Sequence, residues 1–259
     1  MCELFGLSSS RPIAGREVPL AEFRRHGGAT ADNPDGWGVA WREAGHPDGF
    51  RLDKEPAPGS ASVRFAALID TVRADLLIAH VRKARIPPNN TLANTHPFTH
   101  ECCGRKWAFA HNGMVPDIVA LETDSRARVC RPEGETDSEF AFCHLLGHMT
   151  RQHDAHAGDT VRLAMLGNIG EAIARHGKFN FLLSDGHYLA AYGHDRLHAL
   201  ERYSGPEHLV LIATEPLTGD ADWRQFEPGE LRIYRAGRRV ERIVTHPPAP
   251  SDNTEPSLA

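Results

Sequence analysis

The second residue of the chain is a cysteine, in the run Met1-Cys2-Glu3-Leu4-Phe5-Gly6, and its position gives it chemistry that an internal cysteine lacks. Removal of Met1 leaves one residue carrying both a thiol and a free α-amino group. Their reference pKa values, roughly 8.5 and 7.7–8.0, let a proton pass between them near neutral pH, directly or through one water. Such a residue is a nucleophile with its own base and needs no histidine. Cys2 reads equally as a small apolar residue opening a strand, the commoner use of a lone cysteine.

Other residues whose types fit chemistry stand at the ends of apolar runs. Arg82 closes Leu76-Leu77-Ile78-Ala79-His80-Val81, where a planar guanidinium at the end of a strand can grip a carboxylate with two bonds. Asn112-Gly113 closes Phe109-Ala110-His111. There a backbone N–H and a carboxamide N–H can point the same way, as an oxyanion requires, although Asn-Gly is also the strongest short hairpin signal. Asp137 opens a helix, a place the helix dipole favours for any acid. Gly36 and Gly38 flank Trp37 and allow close backbone approach, with Trp37 as a candidate pocket wall. His80 and His111 sit inside strands and read as core histidines. His96, His100, Cys102 and Cys103 fall within eight positions, but adjacent cysteines rarely share an ion and no Cys-x-x-Cys pair occurs, so no metal is expected. Without a phosphate-binding glycine loop no nucleotide cofactor is expected either.

The motifs form a set. Cys2, Asn33-Pro34-Asp35-Gly36-Trp37-Gly38, Ala79-His80-Val81-Arg82-Lys83-Ala84, Asn94-Thr95-His96-Pro97-Phe98, Phe109-Ala110-His111-Asn112-Gly113, Gly134-Glu135-Thr136-Asp137-Ser138-Glu139 and Ala213-Thr214-Glu215-Pro216-Leu217 follow one another along nearly the whole chain. In this order they resemble the glutaminase domain of class II glutamine amidotransferases, N-terminal nucleophile hydrolases, and most of all the stand-alone YafJ-type members. The resemblance implies Cys2 as nucleophile and Asn112 with Gly113 as oxyanion hole. It also implies Arg82 on the substrate α-carboxylate, Asp137 on its α-ammonium, and His96, Trp37, Gly36, Thr214 and Glu215 around the pocket. An arginine and an aspartate together recognise a free amino-acid head group, leaving the side-chain amide of a small-molecule γ-glutamyl substrate facing Cys2.

One departure is visible: Arg82 is followed by Lys83-Ala84-Arg85-Ile86, where the large amidotransferases continue Trp-Ala-Thr-His. Three functions stay open. The chain acts alone as a γ-glutamyl amidohydrolase, supplies ammonia to a separate synthase, or serves as a non-catalytic γ-glutamyl binding subunit; the partner would be a synthase or peptidase subunit.

The elements that must position these residues alternate between two periods. Residues 18–26, 62–74, 138–151 and 160–176 carry apolar positions at helical spacing. Residues 3–7, 37–41, 50–52, 76–81, 107–111, 179–184, 188–192, 209–214, 231–234 and 240–244 read as strands, several joined by tight turns such as Asp185-Gly186 and Ala236-Gly237. Strands apolar on both faces need cover on both. The expected fold is therefore α+β, a four-layer α-β-β-α sandwich of two mainly antiparallel sheets, as N-terminal nucleophile hydrolases have. Residues 1–245 form this domain; the polar, proline-rich 246–259 reads as a disordered tail. Residues 45–60 and 123–136 read as long loops, candidate lids.

With 259 residues, 41% hydrophobic, the chain can bury a full core. A formal net charge of -5 gives no electrostatic support for a nucleic-acid or anionic-membrane partner. No apolar run approaches the ~20 residues of a membrane span, and the N-terminus lacks a secretory layout, so a cytoplasmic address is expected. Five cysteines, an odd number, do not look like a disulfide framework and fit a reducing compartment.

Overall fold

Period-two alternation decides the architecture. The computed structural model describes residues 2–43, 50–84, 89–119, 129–151 and 159–249. In them β1 (Glu3–Ala14), β2 (Gly36–Glu43), β3 (Phe50–Glu55), β4 (Arg73–Arg82), β9 (His198–Ser204), β10 (Glu207–Ala213) and β11 (Arg224–Gln225) form one sheet, in the order β11-β9-β10-β1-β4-β2-β3. The second contains β5 (Phe98–Cys102), β6 (Arg105–Met114), β7 (Lys178–Ser184), β8 (Leu189–Gly193), β12 (Glu230–Arg235) and β13 (Arg238–Val244), ordered β13-β12-β8-β7-β6-β5. Neighbouring strands in both sheets pair antiparallel.

Successive side chains of each strand divide between two layers. In β1 and β4, Leu4, Leu76 and Ile78 face the second sheet, where they meet Ala108, Ala110 and Leu182. Phe5, Leu7, Leu77 and Val81 face away, under α1 (Leu20–Arg25) and α2 (Val63–Thr71). In the second sheet Trp107, Phe109, Phe179 and Phe181 turn outward against α3 (Asp137–Arg151) and α5 (Leu166–Ala174). Three apolar cores separate four layers, the α-β-β-α sandwich the patterning predicts.

The departures are local. The expected helix over 160–176 is two, α4 (Asp159–Ala164) and α5, meeting at Met165; α4 lies over β12 and β13, α5 over β7 and against α3. Gly170 allows the close approach, since a Cβ there would meet the ring of Tyr192 at 3.2 Å. Strands β5, β9 and β11 escape the sequence reading because most of their residues are polar and no apolar run forms. Asn112 and Gly113 do not make a hairpin: they lie near the end of β6, paired with Asn180 and Phe179.

The start of the expected tail is held rather than loose. Thr245 is buried and its hydroxyl donates to Gly229 O at 2.9 Å, while His194 Nε2 lies 2.8 Å from Pro248 O. Residues 250–259 lie outside the described residues, as do 45–49 and 123–128 of the two candidate lids. The cysteines also depart from expectation: Cys130 and Cys143 are joined in a disulfide, their Cα atoms 5.5 Å apart. Their 13-residue separation hides this, because the chain before α3 folds back along that helix. No helix among the described residues is long and apolar enough to cross a membrane.

Candidate active site

The alternation that builds the cores also aims the functional side chains. Cys2 precedes Leu4 by two residues, Arg82 follows His80 by two, Asn112 follows Ala110 and Thr214 follows Ile212, so all four project into the layer between the sheets. Register brings them to one end of it. Glu3 pairs with Val81, Leu4 with His80 and Phe5 with Ala213, which sets Cys2 beside Arg82 and Leu4 beside Thr214. Thr214 Oγ1 accepts from Leu4 N–H at 2.9 Å and from Asn112 Nδ2 at 3.3 Å, tying β1, next to Cys2, to the second sheet. A carboxamide carries two N–H donors, so this bond leaves Asn112 a second one to offer.

The Cys2 sulfur accepts from Lys83 N–H at 3.2 Å and its thiol faces Lys83 O at 3.4 Å. Burial pushes the thiol above its ordinary range; the Lys83 hydrogen bond and the Arg82 charge pull it back, and Asp137 pushes it up. Arg82 and Asp137 are thus both within electrostatic reach of the sulfur. Arg82 is itself buried, and burial lowers its pKa while Cys2 and Asp35 oppose that. Its Nη1 donates to Asn90 Oδ1 at 3.0 Å; Asn90 in turn donates to Asp35, whose other oxygen accepts from Ala84 N–H. This lattice fixes the loops around the guanidinium.

Asp137, at the first position of α3, accepts from Val115 N–H at 2.6 Å and from Ser138 N–H at 2.8 Å. It stabilises the helix start, and its charge is felt at the Cys2 sulfur. His111 is held at both ring nitrogens: Nε2, 3.1 Å from Lys178 O, donates there, and Nδ1 lies 2.8 Å from Ser138 Oγ. Gly113 is required by space, since a Cβ there would overlap the carbonyl of Lys178.

The remaining candidates divide. Gly36 pairs with Arg82 across β2 and β4 and so borders the site. His96 is buried between the sheets, stacked on His80 at 4.1 Å, with both ring nitrogens lacking a hydrogen-bond partner. Burial depresses the pKa of each, His80 to about 3. Gly38 makes room for His96, whose carbonyl would collide with a Cβ at that position. Trp37 is not a pocket wall: it points outward, stacks on Phe65 of α2 at 4.3 Å and donates from Nε1 to Glu55 at 2.9 Å. Glu215 is drawn off into an ion pair with Arg196.

Two positions carry more than the sequence suggested. Asn180 Nδ2 donates to Asn112 O at 3.1 Å, and its Oδ1 accepts from His194 N–H at 2.8 Å. Glu3, next to Cys2, is buried and holds His26 Nδ1 at 2.6 Å. A buried Asn and Glu among apolar strand neighbours were the available signals. The group His96, His100, Cys102 and Cys103 does not converge: His96 lies between the sheets, His100 turns to Glu139, and the two cysteine sulfurs gather at Thr150.

The family model for class II glutamine amidotransferases matches residues 1–209 and 201–257. The chain belongs to that family. The putative glutamine amidotransferase YafJ of Escherichia coli is 35% identical to this class II amidotransferase over 93% of the chain and 100% of its own length. The probable glutamine amidotransferase DUG3 of Saccharomyces cerevisiae is 26% identical over 83% of this chain and 72% of its own. A predicted glutamine amidotransferase from Pseudomonas aeruginosa superposes with a TM-score of 0.67 at 28% identity, covering 93% of this chain and 100% of that one. The phosphoribosylpyrophosphate amidotransferase of B. subtilis matches with a TM-score of 0.68 at 16% identity, over 94% of this chain and 49% of its own, a likeness of fold alone. Family membership makes the protein an enzyme of the glutamine amidotransferase kind, one whose general chemistry is hydrolysis of the glutamine amide.

Proposed function

We propose that this class II amidotransferase cleaves a γ-glutamyl amide, in glutamine or a small γ-glutamyl metabolite, through a thioester on Cys2. The observation that carries the reading is the meeting of Cys2, Arg82, Asn112 and Thr214 at one end of the inter-sheet layer, within reach of Asp137. Arg82 binds the α-carboxylate and Asp137 the α-ammonium, which presents the side-chain amide to the sulfur. After loss of Met1, the α-amino group of Cys2 takes the thiol proton as sulfur attacks the carbonyl carbon. The carbonyl electrons move to oxygen, which Asn112 Nδ2 and the Gly113 N–H stabilise. As the C–N bond breaks, the leaving amine receives that proton. Water adds to the thioester, the same amino group accepts its proton and returns it to sulfur, and glutamate leaves.

Intact-mass analysis of the untagged chain, before and after exposure to a diazo-ketone analogue of glutamine, tests this directly. Loss of Met1 and one adduct, absent from Cys2→Ser, is the expected result. Adduct formation equal in wild type and Cys2→Ser overturns the mechanism. Met1 removed, glutamate bound and no adduct points to the binding-subunit alternative, and glutamate release only beside a co-purifying synthase or peptidase points to partner delivery. By the same reading Cys2→Ala abolishes turnover yet binds glutamate, while Arg82→Ala weakens binding by about 1.5–3 kcal/mol, seen in KM.

A further inference from the structure

At the edge of the second sheet, where β5 meets α3, the fold gathers a second group of soft donors. His100 of β5, Cys130 of the segment before α3 and Cys143 within α3 bring one ring nitrogen and two sulfurs within 4.8 Å of one another. Cys143 is buried and the other two half-buried, so the group is shielded yet reachable. The Cα atoms of the linked cysteines stand 5.5 Å apart. Two thiolates on one tetrahedral zinc, at about 2.3 Å each, lie about 3.8 Å from one another, a spacing this backbone separation accommodates once the sulfurs part. Behind His100, Glu139 Oε1 sits 3.0 Å from Nε2, and the other carboxylate oxygen accepts from Gly134 N–H at 2.7 Å. A carboxylate that holds one nitrogen of an imidazole fixes the ring and leaves the other nitrogen, here Nδ1, for a metal.

We propose that His100, Cys130 and Cys143 form, in the reduced protein, a binding site for a thiophilic divalent cation of the zinc type, with water as the fourth ligand, and that the disulfide is the metal-free state of the same site. A dithiol converts one into the other: it gives two electrons and two protons to the Cys130–Cys143 bond and becomes a disulfide itself. The cation then displaces both thiol protons to solvent. In the reverse direction the cation leaves and a small-molecule disulfide accepts the two electrons. Both states clamp the segment that leads into Asp137, whose neighbour Glu135 is further held through its N–H by Asn94 Oδ1 at 2.8 Å. The inference does not depend on Cys2 being the nucleophile.

The test uses the full-length protein, reduced with a phosphine, freed of metal by a chelator and titrated anaerobically with cobalt, then zinc. One equivalent of cobalt should produce the sulfur-to-cobalt charge-transfer absorption of a tetrahedral thiolate site, and one of zinc should abolish it. Wild type reoxidised with a small-molecule disulfide should bind neither, a comparison that needs no substitution. Cys130→Ser and His100→Ala should lose the absorption, and Glu139→Gln should weaken zinc binding roughly 10–100-fold. The proposal is overturned if the reduced wild type shows no such absorption, if the oxidised protein binds equally, or if the absorption survives Cys130→Ser and disappears in Cys102→Ser/Cys103→Ser.

Discussion

The hydroxyl of Thr214 accepts two buried donors, Leu4 N–H and Asn112 Nδ2, and so couples the strand next to Cys2 to the proposed oxyanion donor. Thr214→Val leaves both without an acceptor, at about 1–3 kcal/mol for each stranded group, and frees Asn112 to turn. Denaturant unfolding should show the stability loss and kcat should fall with it, both recovered in Thr214→Ser. Asn112→Ala should lower kcat about 10²–10³-fold with little change in KM, as for loss of one oxyanion donor. Asn112 stood out in the sequence because it ends an apolar run, whereas Thr214 was marked only by the resemblance of its motif. Asn180 and the Glu3–His26 pair were not, since each acts through a partner distant in sequence, on another strand or beyond a helix.

Strand β2 shows how an element constrains what its motif can mean. Gly36, Gly38 and Ala40 share one face of it; Trp37 and Val39 share the other, under α2. Reading Asp35-Gly36-Trp37-Gly38 as a pocket motif put the largest side chain at the site, whereas alternation sends it to the opposite layer. Trp37→Ala should therefore cost about 3–5 kcal/mol in thermal or denaturant unfolding, and leave KM of the folded fraction unchanged. A raised KM at unchanged stability would restore Trp37 to the pocket. The layers themselves were readable from period alone, because long strands with two apolar faces admit few arrangements. Strands β5, β9 and β11 and the break at Met165 were not, because they depend on which neighbours pack there.

At the scale of the molecule, proton uptake ties the core to pH. His80, His96 and His111 are buried with pKa values below the ordinary value, chiefly through burial, so the folded protein binds fewer protons than the unfolded chain. Stability is present in full above about pH 6.5 and falls as pH drops through it, with a limiting slope of roughly 4 kcal/mol per pH unit for three groups. His26 has the opposite sign. Its hydrogen bond to Glu3 raises its pKa, so its contribution is full below about pH 6.5 and is lost as pH rises through the raised value. Unfolding measured against pH should show steep acid loss in wild type. His26→Gln should keep that loss and flatten only the alkaline window.

Strand β1 lies between β4 and β10, and those two partners leave the ribosome at very different times. Leu4 finds His80 early in synthesis, but its contact with Thr214 spans 210 residues. Through most of translation the strand bearing Cys2 therefore presents an open edge, the kind of surface that recruits stray strands and chaperones. Chain ends that stop short of β10 would keep Cys2, Arg82, Asn112 and Asp137 and still lack the hydroxyl that joins Leu4 to Asn112. On the proposed mechanism, a nascent chain is silent until synthesis has passed Thr214 and β10 has closed on β1.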